Sequence, residues 1–237
     1  MVNINEVKKK GYGIVKTAIN KLNSLKLKYY YFECSVIILN VMIRSSILYA
    51  SEMYYDLKEK EVRQLERIEE QFMRKVLNTT KGCPIVSLYL ALGHIPARFE
   101  IQKLRLLYLK YILTEKENSL VRRFLYLQLE MPTKGDWASR CLGDLKDLKM
   151  PGSIKEIEEM SYKEYKKLLK MKIKEKALEY LKNKVRSKGK ENKHEGLSMS
   201  EYLLPENRLL SIDEKQRLFE VKNRTSRTEQ GHTRVPS

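Results

Sequence analysis

The sequence of 237 residues has little of what marks secreted, disulfide-rich or loop-dominated proteins. No pair of its three cysteines, Cys34, Cys83 and Cys141, has the two-residue spacing of a zinc ribbon or a redox motif. We therefore predict buried free thiols in a reducing compartment. Six prolines and ten glycines argue against collagen-like and loop-dominated chains. The N-terminal segment lacks the apolar core of a signal peptide, so secretion is not expected.

Motifs for catalysis, metals and cofactors are also missing from the sequence. Its three histidines, His94, His194 and His232, are far apart and form no helix-spaced pair. The glycines do not form a phosphate-binding loop, and there is no nucleophile elbow of the Gly-x-Ser-x-Gly type. Acidic residues alternate with lysine and arginine, as on solvated helix faces. We predict no catalytic residue, no metal site and no cofactor.

A membrane span is not expected either. The most apolar segment, residues 29–50, is interrupted by Glu33, Asn40 and Arg44. A span needs about 20 nearly uninterrupted apolar residues. This segment is therefore predicted to be a buried core helix.

Apolar residues recur at helical spacing along most of the chain, which predicts an all-α, multi-helix bundle. In the segment 59–77 the apolar residues are predicted to face the core, and Arg63, Glu66 and Glu70 are predicted to lie on the outer side. Gly93 is expected to end one helix and Pro96 to begin the next, which runs to about residue 113. That next helix is expected to turn six residues inward: Phe99, Leu104, Leu107, Tyr108, Tyr111 and Ile112.

Three later helices are predicted to begin at capping boxes, in which a serine and the glutamate three residues on satisfy each other's backbone donors. These are Ser153/Glu156, Ser161/Glu164 and Ser211/Glu214. The middle one opens a long basic helix over residues 162–185. The predicted organisation is one helical domain over residues 1–186, a polar linker over 187–200, a helical segment over 201–224 and a disordered tail over 225–237.

The positive charge is the strongest functional signal. Lysine and arginine total 47 against 30 acidic residues, a net charge of +17. Basic side chains beside aromatic ones suit a nucleic-acid backbone, because cations displace condensed counterions and rings stack on exposed bases. Acidic lipid headgroups and a solvated basic face remain alternatives at this point. The predicted phosphate contacts are Arg98, Lys103, Arg105, Lys110, Arg122, Arg123, Lys166 and Lys170.

A series of short signatures between residues 48 and 96 adds a family resemblance. The first comprises Leu48, Tyr49, Ala50, Ser51 and Glu52, the second lies in a charged helix that includes Arg74, and the third comprises Pro84, Leu88, Leu92, Gly93 and Pro96. In their order and spacing they resemble the region just downstream of the polymerase core in non-LTR (LINE-type) retrotransposon reverse transcriptases. The resemblance covers roughly residues 13–224. Its family-signature positions are Leu48, Tyr49, Ser51, Glu52, Arg74, Pro84, Gly93 and Pro96.

The resemblance implies a thumb and helical linker that lie along a template–primer duplex, with RNA or DNA as partner. It also implies that the rest of a retroelement polyprotein is a partner and that the protein acts in the nucleus, a cytoplasmic location being the alternative. The sequence has no aromatic-x-Asp-Asp motif, and a polymerase needs such carboxylates for its two metal ions, so we do not expect polymerase activity. It also lacks the Cys/His-rich segment of many relatives, which favours a remnant or fragment.

Ala50 stands where the family usually has glycine, a change that a helix would tolerate.

Two other functions stay open from the sequence. The chain could be a helical protein-interaction module with a solvated basic surface, because most of its lysines are interleaved with glutamates. It could also be an inert remnant, with exposed apolar residues around 29–31 and 37–43. The sequence does not distinguish RNA, DNA and hybrid ligands.

Overall fold

Helix-forming residues with few interruptions give a chain of successive helices. A computed structural model describes residues 4–24, 31–79, 82–133 and 135–189, and these ranges contain helices and turns but no strand, so the predicted all-α class is confirmed for them. The α-helices are α1 (Ile4–Ser24), α2 (Tyr31–Ile38), α3 (Ser45–Ile47), α4 (Glu59–Val76), α5 (Ile85–Leu92), α6 (Ala97–Thr114), α7 (Leu120–Glu130), α8 (Trp137–Asp147), α9 (Ile154–Glu159) and α10 (Tyr162–Gly189).

The first hydrophobic core joins α1, α4, α5 and the apolar segment predicted as a core helix. That segment is not uniformly α-helical, because a π-helical stretch, Leu39–Arg44, lies between α2 and α3. Leu39 and Ile43 are fully buried there, whereas Ile37 and Val41 are more than half exposed. The segment therefore has one buried and one exposed apolar face.

Gly11 lets α1 approach α4 closely. A Cβ atom at this position would lie 2.8 Å from Cδ1 of Ile68 and 3.1 Å from Cγ2 of Ile47. The glycine lies inside the helix and fits a close helix crossing.

The second core comprises most of α6 with α7, α8, α9 and α10. The helices α6 and α10 run antiparallel: the rings of Phe99 and Tyr180 meet edge to face at 5.5 Å, and the hydroxyl of Tyr165 donates to the carbonyl of Leu106 at 3.2 Å. Ala97 of α6 and Leu181 of α10 belong to the first core. These two helices therefore connect both cores.

The buried face of α6 differs from the predicted one. Phe99 and Ile112 are buried as expected, but Tyr111 is exposed, and Leu104, Leu107 and Tyr108 are only partly buried. Ile101, Leu106, Leu109 and Leu113 are buried instead. This helix is surrounded by α4, α8, α9 and α10, so a single inward stripe does not describe it.

Charged residues of α4 also lie elsewhere than predicted. Glu66, Glu69 and Glu70, in the middle of the helix, are buried, and Arg63 is partly buried. The prediction that Glu66 and Glu70 occupy a solvated outer side is wrong, because Arg98 of α6 pairs with Glu66 and Arg63 of α4 pairs with Glu70.

Several predicted helix ends are confirmed. Gly93 ends α5 with φ of 65°, and Pro96 directly precedes α6. At the start of α10, the backbone N–H of Ser161 donates to Glu164 Oε2 and that of Glu164 to Ser161 Oγ, both at 3.2 Å. Ser153 precedes α9 but makes no side-chain capping bond.

Ala50 is not helical, contrary to the expectation drawn from its sequence. Its φ of 54° and ψ of 23° place it in the left-handed region, just after the helical segment that ends at Ile47. Glycine adopts this conformation with little cost in free energy, whereas alanine is strained by it, because its Cβ atom crowds the neighbouring carbonyl.

Other sequence predictions are met in part. All three cysteines are free, but only Cys141 is fully buried. The long helix α10 extends to Gly189, past the predicted linker start at residue 187.

The capping box Ser211/Glu214, the segment 201–224 and the tail 225–237 lie outside the described residues. No described helix is long and apolar enough to cross a membrane.

Candidate nucleic-acid interface

Arg105 of α6 is an interior residue. It is 3% exposed, and its guanidinium forms an ion pair with Asp144 of α8 and donates to the carbonyl of Tyr54. Burial raises the pKa of Asp144 while the charge and hydrogen bond of Arg105 act to lower it. The prediction that Arg105 contacts phosphate is therefore wrong for this conformation, because the whole side chain is enclosed and its charge is compensated.

Lys110 of α6 is also interior, being 1% exposed. Its Nζ donates to the carbonyls of Ile157 at 2.8 Å, Glu158 at 3.1 Å and Met160 at 2.6 Å. These carbonyls lie at the end of α9, where the helix leaves its acceptors unsatisfied and carries partial negative charge. Lys110 therefore caps α9, and its prediction as a phosphate contact is wrong for the same reason as that of Arg105.

Arg98, at the start of α6, bridges two carboxylates of α4. Its Nε lies 2.6 Å from Glu66 Oε1 and its Nη2 lies 2.7 Å from Glu59 Oε1. The guanidinium carbon also lies 4.7 Å from the ring centroid of Tyr180. Burial acts to raise the pKa of Glu66, but the bonds from Arg98 and Arg63 outweigh it and lower that pKa. These contacts compensate the positive charge of Arg98 within the protein.

Lys103 and Arg122 also have internal partners. Lys103 forms an ion pair with Glu100 one turn away on α6. Arg122 of α7 forms an ion pair with Glu158 of α9 and donates to the carbonyl of Glu115 at 2.6 Å. Five of the eight predicted phosphate contacts thus pair with groups of the protein itself.

The helix α10 has a different arrangement, with one strongly anchored face. Tyr165, Leu169, Ile173, Ala177 and Leu181 recur every four residues and are at most 1% exposed. Residues four apart are neighbours on a helix surface, so these five form a continuous buried line that turns slowly around the helix. This line anchors α10 and holds its exposed side in a fixed orientation toward solvent.

Four lysines form a stripe on that outward side. They recur at intervals of four, three and four residues, which keeps them on one helix face, turned away from Tyr165 and Leu169. All four are exposed, and within the described ranges none makes an ion pair. With a rise of 1.5 Å per residue the stripe is about 16 Å long. This outer lysine stripe comprises Lys163, Lys167, Lys170 and Lys174.

The outer lysine stripe contains one predicted residue, Lys170, and three that the predicted set missed. Their spacing opposite Tyr165 and Leu169 is a signal that the sequence carries. The predicted Lys166 is partly buried, and its Nζ lies 5.6 Å from the ring centroid of Tyr162. It therefore borders the stripe.

Arg123, the remaining predicted contact, is exposed on α7. Glu130 is exposed on the same flank of that helix, two turns away, so this flank carries both signs of charge. Arg123 is accessible but does not belong to a continuous basic surface on its helix.

The first family-signature positions build a turn. Leu48 is buried while Tyr49 is 79% exposed, and the Tyr49 carbonyl accepts a bond from Tyr54 at 2.9 Å. Ser51 is fully buried. The carbonyl of Glu52 accepts a 2.8 Å bond from Trp137 Nε1, which ties the turn to α8.

The later signature positions shape the entry to α5 and α6. Arg74 Nη2 donates to the carbonyl of Cys83 at 2.9 Å, and Pro84 directly precedes α5. Gly93 and Pro96 end one helix and precede the next. These positions fix the path of the chain.

The described residues offer no other chemical centre that stands out. They contain no group of three His, Cys, Asp or Glu residues arranged for a metal ion. A cleft of about 780 Å³ lies among α4, α6, α8 and α10, but its cations are paired with its carboxylates: Arg105 with Asp144 and Lys176 with Asp147 at 3.0 Å.

No family model, curated protein or solved structure matches this chain.

Proposed function

We propose that this protein binds nucleic acid non-catalytically, through phosphate contacts along the outer lysine stripe of α10. The observation that carries the proposal is the stripe itself, four exposed lysines on an anchored helix with no ion pair among the described residues. Double-stranded nucleic acid carries one charge per about 1.7 Å of axis. A stripe of about 16 Å therefore faces several phosphates.

The net charge of +17 supports the same proposal, because a strongly positive chain attracts polyanions over long distances. The resemblance to the thumb and helical linker of non-LTR retrotransposon reverse transcriptases supports a duplex of template and primer as the ligand. Within that proposal the protein acts beside a polymerase, in the nucleus, and performs no polymerisation itself.

A binding experiment with two matched variants tests the proposal. Affinity for a short RNA–DNA hybrid is measured by fluorescence anisotropy at fixed salt. The first variant replaces Lys163, Lys167, Lys170 and Lys174 with glutamine. The control replaces four exposed lysines of α1, which lie on different sides of that helix, and so makes the same change in net charge: Lys9, Lys10, Lys16 and Lys21.

The stripe variant is expected to bind at least about 10-fold more weakly, since each phosphate contact releases condensed counterions. The α1 control is expected to stay within about 3-fold of the unaltered protein, because only long-range attraction changes. Equal losses in both variants would show that net charge alone acts. No binding by a protein that is helical by circular dichroism would refute the proposal.

A further inference from the structure

The helix α7 has an apolar stripe on its solvent side. Leu120 is 82% exposed, Phe124 59%, Leu127 47% and Met131, directly after the helix, 63%. Their spacing of four, three and four residues places them on one face. The opposite face holds α7 in the protein, because Leu125 is buried and Tyr126 donates to Glu158 at 3.1 Å. The exposed stripe has no partner within the described residues.

From this face we infer that α7 packs antiparallel against α7 of a second copy of the chain. A twofold axis perpendicular to the helix, passing between Leu125 and Tyr126, brings Leu120 opposite the partner's Met131. The same axis brings Phe124 opposite the partner's Leu127. Both apolar pairs then occur twice, as a closed twofold interface requires.

The charges beside the stripe favour the antiparallel direction. Arg123 and Glu130 are both exposed on the same flank of α7. In an antiparallel helix pair each flank faces the same flank of the other helix, so Arg123 lies against the partner's Glu130 and the reverse pair forms as well. In a parallel pair this flank would face the uncharged side that carries Val121 and Gln128. The face is therefore self-complementary in charge and in apolar spacing.

The surface has room for these contacts. A shallow groove of about 410 Å³ runs along the flank and is lined by Arg123, Leu127 and Glu130, among others. Two helices of 11 residues packed at about 8–10 Å form a small contact, at the lower end of the size range for a specific interface. We expect a reversible dimer with a dissociation constant in the micromolar range.

Sedimentation velocity of the protein, without nucleic acid and over about 1–100 µM, tests the dimer. Phe124→Glu is expected to weaken dimerisation at least about 100-fold, because the charge would lie in the centre of the apolar stripe. The matched control, Val41→Glu, alters a residue that is 65% exposed on another part of the surface. It is expected to leave the dimer unchanged, and both variants should keep the helical circular dichroism.

Charge reversal tests the direction of packing. Arg123→Glu and Glu130→Arg alone should each weaken the dimer roughly 10-fold, since every change acts twice across the axis. The double variant should restore it, because both ion pairs re-form with inverted sign.

A protein that is monomeric at about 100 µM overturns the inference. A dimer that Val41→Glu disrupts and Phe124→Glu does not also overturns it. The same holds if the double charge variant dimerises no more tightly than the single charge variants. A monomer that sediments with anionic phospholipid vesicles, and loses this with Phe124→Glu, would assign the stripe to a lipid surface instead and would equally overturn it.

Discussion

The helices α6 and α10 are both basic and both contain aromatic residues, yet their cations lie in opposite environments. The two central cations of α6, Arg105 and Lys110, are enclosed by acceptors from α8 and α9. The four lysines of the outer stripe of α10 lie on a solvent face. The difference shows that a basic sequence indicates a phosphate-binding surface only where no neighbouring element provides the counter-charge.

The largest expected effect comes from removing a buried α6 cation. Arg105→Ala leaves Asp144 buried without its main partner, and we expect a loss of about 3–5 kcal/mol in the free energy of unfolding. Lys170→Ala on α10 should change it by at most about 0.5 kcal/mol. Urea unfolding measures both. A loss below about 1 kcal/mol for Arg105→Ala would remove the distinction between the two helices.

A double variant sharpens this result. Arg105→Met combined with Asp144→Leu removes both charges and fills the space with apolar atoms. Such replacements are often neutral or stabilising. The double variant should therefore recover part of the stability that Arg105→Ala loses, because the buried charge is gone while the Tyr54 carbonyl still lacks its donor. No recovery would indicate that this bond and the packing of the arginine matter more than its charge.

A smaller loss is expected for Lys110→Met. The methionine fits the apolar part of the lysine side chain, but the carbonyls of Ile157, Glu158 and Met160 lose their donor. We expect a loss of about 1–3 kcal/mol in the free energy of unfolding. Lys103→Met, which breaks only an ion pair within α6, should lose less than about 1 kcal/mol.

The pH dependence of stability distinguishes buried titratable groups from the exposed lysines of α10. Burial raises the pKa of Glu69 from 4.5 to about 7, although Arg44 lies 2.8 Å away and acts to lower it. Burial and the charge of Arg44 lower the pKa of His94 from 6.5 to about 4. Between pH 4.5 and 6.5 the folded protein therefore keeps a proton on Glu69 and lacks one on His94.

These two groups affect stability in opposite directions. As pH rises through this window, Glu69 lowers the stability, because its proton is bound in the folded state only. His94 raises the stability over the same window, because its proton is bound in the unfolded state only. The measurement is the free energy of unfolding against pH. Glu69→Gln should make the slope more positive by about one proton and His94→Asn should make it more negative by about the same amount. Unchanged slopes in both would contradict these assignments.

The smallest effect concerns the turn that supplies the Tyr54 carbonyl to Arg105. Glycine at position 50 relieves the strain of a positive φ, so Ala50→Gly should raise the free energy of unfolding by about 0.5–1 kcal/mol. Ala138→Gly, at a buried position inside α8, should instead lower it by about 1 kcal/mol or more. Thermal unfolding of the two variants in opposite directions would support the left-handed assignment.

The sequence predicts the helices well because their signals are local. The Ser161 capping box and the long basic helix that it opens need only nearby residues, and both α10 predictions are confirmed. Arg105 and Asp144 are 39 residues apart, so no local pattern indicates their pairing. One sequence feature does indicate that these cations are enclosed: α6 is apolar on several sides, which is typical of a central helix.

The most direct test compares the salt dependence of DNA binding after removing cations from either helix. For B-form DNA, each lost phosphate contact reduces the slope of log affinity against log salt by about 0.9. Replacing the outer lysine stripe with glutamine should reduce the slope by about 3–4, and replacing Arg98 and Lys103 should reduce it by less than about 1. A larger reduction for the α6 pair, with both proteins equally helical, would contradict the account.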